Sequence, residues 1–557
     1  MKKKGSVNYI DFGAKGDGVT DDFAAVCAAH EYANKNGLPV VIDDGKTYLL
    51  RSALKGGKAM SARIKTDVLW GSAKIVIDDT EIDYFDDTES ARTPVFNIIS
   101  DYDPIEITDE KILSRIGKIG EGTAKLNLSF GYPALAVVYN EDHRVYHRYG
   151  ASYISRGGQS SPEHEILLVD GEGNIDASTP FMFDYDKLTK LTLIRADVRP
   201  IKIVGGEITT RACTKDPVNP ETGARVPYLH RNILINRSNV TLEGVKHFVE
   251  GELPLSDYAK TGRAGAHYWG FFSASFANDV LLKDCVFTGR TSYRFSTYEF
   301  HADHVNGIRL DGCTQSNFTV KDEDGNTVFS MSPSRLTDWP RCWGIGGTNF
   351  CKNMEYKNCR LSRFDAHQGL YNGRIVDSTI NFMEVIGKGE LLLENVEWNS
   401  PCPGRTYNSF AYLRDDFGCT WDGTITFKRC TMNVSEGDAY VFFYSYTNWD
   451  YGYRCHFPNL VIDDPTINGL TDGAKINIVN KEGSVLREPQ LHLPRTCRVP
   501  FKRHDGSDDI DNMTNANPVV PPEFIKVINN KKGYEFFLPR CDFFERTEKI
   551  GVTEEDV

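Results

Sequence analysis

No apolar run in this chain approaches the roughly 20 residues needed to span a bilayer, so no helical membrane anchor is expected. Positive charge is in deficit: 64 Lys and Arg against 77 Asp and Glu leave a formal net charge of -13 and a pI near 5.6. That balance argues against nucleic acid and against a membrane surface as partners. It also disfavours a bulk polyanion unless a basic cleft or calcium offsets the charge locally. The 13 cysteines, an odd number, show neither metal-site spacings nor a disulfide framework, so reduced thiols are the expected state. Lys2, Lys3 and Lys4 precede the polar Gly5-Ser6-Val7-Asn8, where a signal peptide would need an apolar core. The expected location is therefore cytoplasmic, or secreted if a leader has been removed.

What is present begins with Asp11-Phe12-Gly13-Ala14-Lys15-Gly16-Asp17-Gly18-Val19-Thr20-Asp21-Asp22, followed by an Ala-rich segment and the strand Val40-Val41-Ile42. Gly13, Gly16 and Gly18 let the backbone turn where side chains would clash. Thr20 or Asp21 is the expected cap of a helix with apolar positions Ala24, Ala25, Ala28, Ala29 and Ala33. A phosphate-binding loop is disfavoured, because no Lys-Ser/Thr follows the turn and the acids would repel phosphate. Over residues 8–50 this stretch resembles the opening of the pectate-lyase superfamily, with Asp43-Asp44-Gly45-Lys46-Thr47-Tyr48 departing from the usual Pro-Gly-x-Tyr. The resemblance implies an all-β, single-stranded right-handed parallel β-helix of the pectin-lyase type, with a short N-terminal capping helix and a poly- or oligosaccharide partner.

From about residue 200 a six-residue pattern recurs. Its copies are Val240-Thr241-Leu242-Glu243-Gly244-Val245, Val280-Leu281-Leu282-Lys283-Asp284-Cys285, Ile308-Arg309-Leu310-Asp311-Gly312-Cys313 and Met354-Glu355-Tyr356-Lys357-Asn358-Cys359. Further copies begin at Arg374, Leu391, Ile425 and Leu460. Period-two alternation makes each copy a strand with one buried face, and the turn pair bends the chain. Unequal spacing fits loops of unequal length leaving a common coil. Cys285, Cys313, Cys359 and Cys430 at the last position are expected to form an inward ladder of small apolar side chains. Four regions result: 1–50, cap and first coil; 51–200, irregular early coils with an inserted β subregion; 201–493, the main β-helix; 494–557, a tail packed on the last coils or on another subunit of a homo-oligomer. Hairpins are expected in 51–200 with turns at Asn140-Glu141-Asp142 and at residues 170–173.

Stacked coils bring equivalent positions into ladders about 4.8 Å apart. Polar clusters recur upstream of the copies, and from these the catalytic candidates are Asp365, His367, Glu384, Asp415 and Asp416. Carboxylates in adjacent coils would lie about 5 Å apart, and two coils of separation gives roughly 10 Å, the distances that divide retaining from inverting glycosidases. Asp365 with Glu384 is the adjacent pair; Asp365 with Asp415 or Asp416 is the wider one. Substrate-binding candidates are Asp303, His304, Arg341, Trp343, Gln368, Lys388, Arg414 and Trp449. The aromatics, with Tyr268-Trp269 and Tyr298, could present flat faces to sugar rings, and Arg341, Arg374, Lys388, Arg405 and Arg414 could grip uronate carboxylates. His301-x-Asp303-His304 lacks a third ligand, so no metal site is expected. No cofactor is expected, with calcium left open.

Phe364-Asp365-Ala366-His367-Gln368 locally resembles the Phe-Asp-Pro-His-Glu segment of alginate epimerases, and by that match Asp365 and His367 would be catalytic. Ser362 stands where that family has tyrosine. The polygalacturonase signatures are not found in order. The leading expectation is a glycoside hydrolase using paired carboxylates. The alternatives are a lyase or uronate epimerase acting by proton abstraction, and a non-enzymatic carbohydrate-binding or tailspike-like protein.

Overall fold

The computed structural model describes residues 5–42, 44–51, 54–55, 58–82, 88–148, 159–216, 218–219, 221–223, 228–253, 265–289, 298–321, 327–329, 347–399, 408–413, 420–434, 440–444, 456–479, 501–502, 508–509, 520–540 and 542–556. Two units are distinguished: residues 1–103, 196–347 and 358–363, and residues 104–195, 348–357 and 364–557. Among the described residues no helix is long and apolar enough to cross a membrane.

The first unit opens with the expected cap. Phe23–Asn36 is an α-helix that buries the predicted Ala29 and Ala33 together with Phe23, Val26 and His30, whereas Ala24, Ala25 and Ala28 are only half-buried. Asp22 occupies the N-cap position without a side-chain capping bond, and the expected Asp21 supplies the cap instead, its carboxylate accepting from the Phe23 N–H at 3.1 Å. The Asp22 carboxylate accepts from the backbone N–H groups of Lys15 (2.7 Å) and Gly16 (3.0 Å), which ties the glycine turn to the helix start. Gly16 needs its lack of a side chain: φ is +62° and a Cβ would lie 2.9 Å from the Lys46 side chain and 3.3 Å from the Tyr48 ring.

Beyond the cap, Val68–Asp78 pairs in parallel with Ile201–Arg211, and Ile201–Arg211 with Val240–Glu243 and Lys246–Glu250. The ladder continues through Phe272–Lys283 to Phe300–Asp311. The second unit repeats the construction: Thr348–Lys357, Gln368–Val376, Gly387–Glu394, Trp421–Lys428, Asn459–Asp463, Phe524–Ile528 and Glu548–Ile550 pair in parallel in that order. Two further parallel ladders run beside it, one through Phe382–Val385, Asn408–Leu413 and Tyr440–Tyr444, the other through Thr379–Ile380, Glu397–Asn399, Thr431–Asn433 and Thr466–Asn468. Each turn of chain thus supplies a strand to several sheets, which defines a parallel β-helix. The ladder does not stop near residue 494, since Phe524–Ile528 and Glu548–Ile550 extend it.

Register confirms the repeat. Val280 faces Val240 and Ile308, and Leu391 faces Ile425, which in turn faces Leu460. One copy is out of frame: Met354 pairs with Gly373, so that copy begins at Gly373 and not at Arg374. The fifth position is where each coil turns, and it adopts left-handed backbone at Gly244, Asp284, Gly312, Asn358, Asp377, Asn395, Arg429, Asp464 and Asn529. Gly, Asn and Asp tolerate that region best, which explains the acidic or small turn pair. At Gly312 (φ +68°) a Cβ would lie 2.3 Å from the Asp284 carboxylate of the preceding coil. Gly312→Ala is expected to cost about 1–2 kcal/mol, read as a lower denaturation midpoint at unchanged m-value.

The cysteine ladder is inward as predicted. Cys285, Cys313, Cys359 and Cys430 are at most 3 % exposed. Each thiol donates to the carbonyl of the third motif position one coil earlier: Leu242 (3.6 Å), Leu282 (3.3 Å), Leu310 (3.3 Å) and Leu393 (3.4 Å). Burial pushes the Cys430 thiol up to about 12 and raises Cys313 strongly. Thiolate chemistry is therefore suppressed at Cys313 and Cys430.

Residues 104–195 carry an antiparallel sheet of Gln159–Val169, Ala134–Arg148, Lys190–Arg195 and Ile105–Ile107. The predicted hairpin turn at Asn140-Glu141-Asp142 is instead a register shift between Asn140 and Arg144 within one long strand. The turn at residues 170–173 forms as expected, with Asp170 N–H donating to Asn174 O and Gly173 N–H to Asp170 O.

Candidate functional site

In the second unit, Phe364 and Asp365 lie on a strand next to Phe382–Val385. The Ala366 N–H donates to the Glu384 carbonyl at 2.9 Å, so Asp365 and Glu384 stand in adjacent coils, the narrower of the two predicted arrangements. The Thr348 hydroxyl donates to the Asp365 carbonyl (2.8 Å) and the His367 N–H to the Thr348 carbonyl (2.9 Å), which fixes the backbone on both sides of Ala366. Asp365 is fully buried and His367 is 7 % exposed, whereas Glu384 and Gln368 are half-buried. The carboxyl pair therefore combines one enclosed and one accessible member. Asp415, Asp416, Arg414, Arg341, Trp343 and Trp449 lie outside the described residues, as does Arg405.

Lys388 falls on a different face of the same coils, where Tyr371, Lys388 and Asp422 share one register position. Its ammonium reaches Asp422 (3.0 Å) and Glu121 (3.5 Å), and Asp422 in turn lies 3.4 Å from His456 Nδ1. Burial works to lower the Lys388 pKa, but Asp422 and then Glu121 outweigh it and hold the amine above its ordinary range. Asp422, His456 and Glu121 escaped the sequence reading. Asp422 stands three residues before the Ile425 copy, as Lys388 does before Leu391, and that shared offset was the available signal. Arg374 pairs with Glu355 (3.4 Å).

In the first unit, Asp303 and His304 pair with each other, Oδ1 to Nδ1 at 3.0 Å. His304 has φ +55° and stacks on Phe276 with centroids 4.7 Å apart. The aromatic residues there are packed against rings. Trp269 is stacked on His230 (5.4 Å, 7°), with His301 at 4.2 Å and Tyr228 edge-on at 5.4 Å. Tyr268 and Tyr298 are buried, and the Tyr268 hydroxyl accepts from the Cys213 N–H (2.9 Å). The expectation that Tyr268 and Tyr298 present open faces to sugar is corrected by their burial, whereas Trp269 is half-buried. Burial lowers His301 and His230 to about 4 each. His143 is half-exposed and pairs with Glu163 at 3.2 Å. Among the described residues no group of His, Cys, Asp and Glu could hold a metal ion.

No family model matches this chain, and no curated protein matches it. Similar solved structures include the tailspike gp61 of Pseudomonas phage phi297, at 10 % identity over 87 % of this chain and 82 % of that one, with a TM-score of 0.41. Another is the Gp54 tailspike of Acinetobacter baumannii bacteriophage AP22 in complex with A. baumannii capsular saccharide, at 9 % identity, 98 % and 79 % coverage and a TM-score of 0.45. A third is a hyperthermoactive exopolygalacturonase from Thermotoga maritima, at 11 % identity, 84 % and 93 % coverage and a TM-score of 0.30. The chain's own coil-to-coil ladders establish its fold as a parallel β-helix.

Proposed function

We propose that this protein binds a carbohydrate chain and hydrolyses glycosidic bonds in it, with Asp365 and Glu384 as the carboxyl pair. The observation that carries this reading is their placement on neighbouring strands of one parallel sheet. Strands about 4.8 Å apart set carboxyl groups near the roughly 5–5.5 Å of retaining glycosidases. In that arrangement the more accessible Glu384 is the nucleophile, attacking the anomeric carbon as the glycosidic C–O bond breaks. Asp365, in its protonated form, gives its proton to the departing oxygen, then takes one from the water that releases the sugar. His367, one residue beyond Ala366, orients the substrate.

A second reading is a carbohydrate-binding protein without turnover, and the complete burial of Asp365 favours it. The two are separated by incubating purified protein with neutral and uronic oligosaccharides and following reducing ends together with ultraviolet absorbance. Hydrolysis yields reducing ends without absorbance, and Asp365→Asn is expected to lower kcat by at least about 10²-fold. Absorbance from a new unsaturated bond would replace hydrolysis by β-elimination. Turnover unchanged in Asp365→Asn would remove that residue from the chemistry.

A further inference from the structure

We propose that Asp422, held between Lys388 and His456 and joined by Glu121, forms a binding centre for the hydroxyl groups of an uncharged sugar. The inference rests on the carbohydrate reading above and adds to it the substrate class and a second point of attachment. Two strands and the chain before a third bring the groups together: Lys388 from Gly387–Glu394, Asp422 from Trp421–Lys428, and His456 from just before Asn459–Asp463. All three are partly open to solvent, with side chains 22 %, 37 % and 25 % exposed. An exposed lysine engaged by two carboxylates from distant parts of the sequence is more ordered than a solvated surface lysine. One carboxylate with both oxygens fixed can accept from two neighbouring hydroxyls of a pyranose, and the imidazole edge and ammonium supply donors beside it.

The backbone around the cluster is shaped for close approach. Gly389 and Gly423 follow Lys388 and Asp422 with φ of +89° and +145°. A Cβ at Gly423 would lie 2.2 Å from the Gly389 carbonyl, and one at Gly389 would lie 2.3 Å from the Asn372 side chain. The Trp421 indole N–H donates to that same Gly389 carbonyl (2.9 Å). Lys388 and Asp422 stand side by side because they are direct partners in the unshifted ladder between Gly387–Glu394 and Trp421–Lys428, with Gly389 paired to Gly423 next to them. Tyr371, half-buried at the same register one coil earlier, adds an aromatic ring next to the polar groups, the pairing that sugars with one apolar face require.

Charge selects the class of sugar. Asp422 and Glu121 bring two carboxylates against the single ammonium of Lys388. A uronate carboxylate arriving there would face an excess of negative charge, and the lysine that could bind it is already occupied.

The test is a glycan array carrying neutral and uronic oligosaccharides, probed with the labelled full chain, its Asp422→Asn and His456→Gln variants, and Lys531→Gln as a surface control. Circular dichroism and denaturation midpoints check that each variant is folded. The expected result is signal on neutral glycans that falls at least tenfold in Asp422→Asn and His456→Gln and persists in Lys531→Gln. Signal confined to uronic glycans overturns the proposal. So does neutral-glycan signal that the two variants leave unchanged, in which case carbohydrate binding stands and only this centre falls. Absence of signal on every glycan overturns both this inference and the reading beneath it.

Discussion

Lys352→Met is expected to destabilise the protein by about 3–5 kcal/mol, measured as the change in unfolding free energy in urea. Lys352 and Glu165 form an ion pair at 2.8 Å with side chains 1 % and 3 % exposed. The ammonium also donates to the Pro180 carbonyl at 2.5 Å, and Glu165 accepts from the N–H groups of Met182 (2.8 Å) and Phe183 (3.1 Å). These bonds hold the antiparallel sheet of residues 105–195 to the coil Thr348–Lys357, assisted by Asn353 donating to Ser178 O (2.8 Å) and by His164 packing on Phe350 (4.2 Å). Methionine would fill the space of the lysine stem but leave the Glu165 carboxylate buried without its counter-charge. Burial lowers the Lys352 pKa despite Glu165, so the pair stabilises less than its geometry suggests. Pairing Lys352→Met with Glu165→Gln is therefore expected to recover most of the loss. A double variant as unstable as the single would show that packing, and not the stranded charge, sets the penalty.

Acidification from pH 6.5 toward pH 4 is expected to cost several kcal/mol of stability before most carboxylates titrate. His30 is fully buried and pushed down to about 3, and His301 to about 4, in both cases chiefly by burial. Asp303 works against the His301 shift and His230 works with it. Trp70 Nε1 donates to the Tyr9 hydroxyl (3.0 Å), so the Tyr9 O–H is directed at His30 Nε2 (2.8 Å) and that nitrogen must stay unprotonated to accept. A histidine whose folded pKa lies below its ordinary value binds fewer protons when folded than when unfolded. Its stabilisation is complete above pH 6.5 and is lost as pH falls toward the folded pKa. At 1.36 kcal/mol per pKa unit this is on the order of 3–5 kcal/mol for each buried imidazole. Melting temperatures across pH 4–7 should fall steeply in wild type. They should fall less steeply in His30→Gln, which keeps an acceptor for Tyr9 but cannot be protonated in this range. Equal slopes would place the acid sensitivity elsewhere.

Coil turns were readable one by one, because Asp284, Asn358, Asp377 and Asn395 sit where the backbone is left-handed and few other residues are comfortable there. The frame slipped only at Gly373, and the reason is spatial. An inward side chain there would meet Leu391 at 2.8 Å and Phe364 at 3.4 Å, so the position that should have announced itself as apolar is empty of side chain. Asn140-Glu141-Asp142 looked like a turn because its residues favour one. In the folded chain the partner strand Gln159–Val169 pairs on both sides of it and absorbs the irregularity as a register shift.

The candidate site divides in the same way. Asp365 and Glu384 could be proposed from a motif and a coil count, and their adjacency followed. Asp422 with His456, and the packing of Trp269 against His230 and His301, depended on which coils stack on which and with what offset.

By itself the sequence determined the parallel β-helix, the inward cysteine ladder and the capped opening, because each rests on short-range preferences: strand alternation, left-handed turn residues and helix signals. Tertiary structure alone decided which carboxylates are enclosed, which rings have open faces and which charges meet. Those depend on coil registration, and loops of unequal length set that registration without leaving a local trace in the residues that end up side by side.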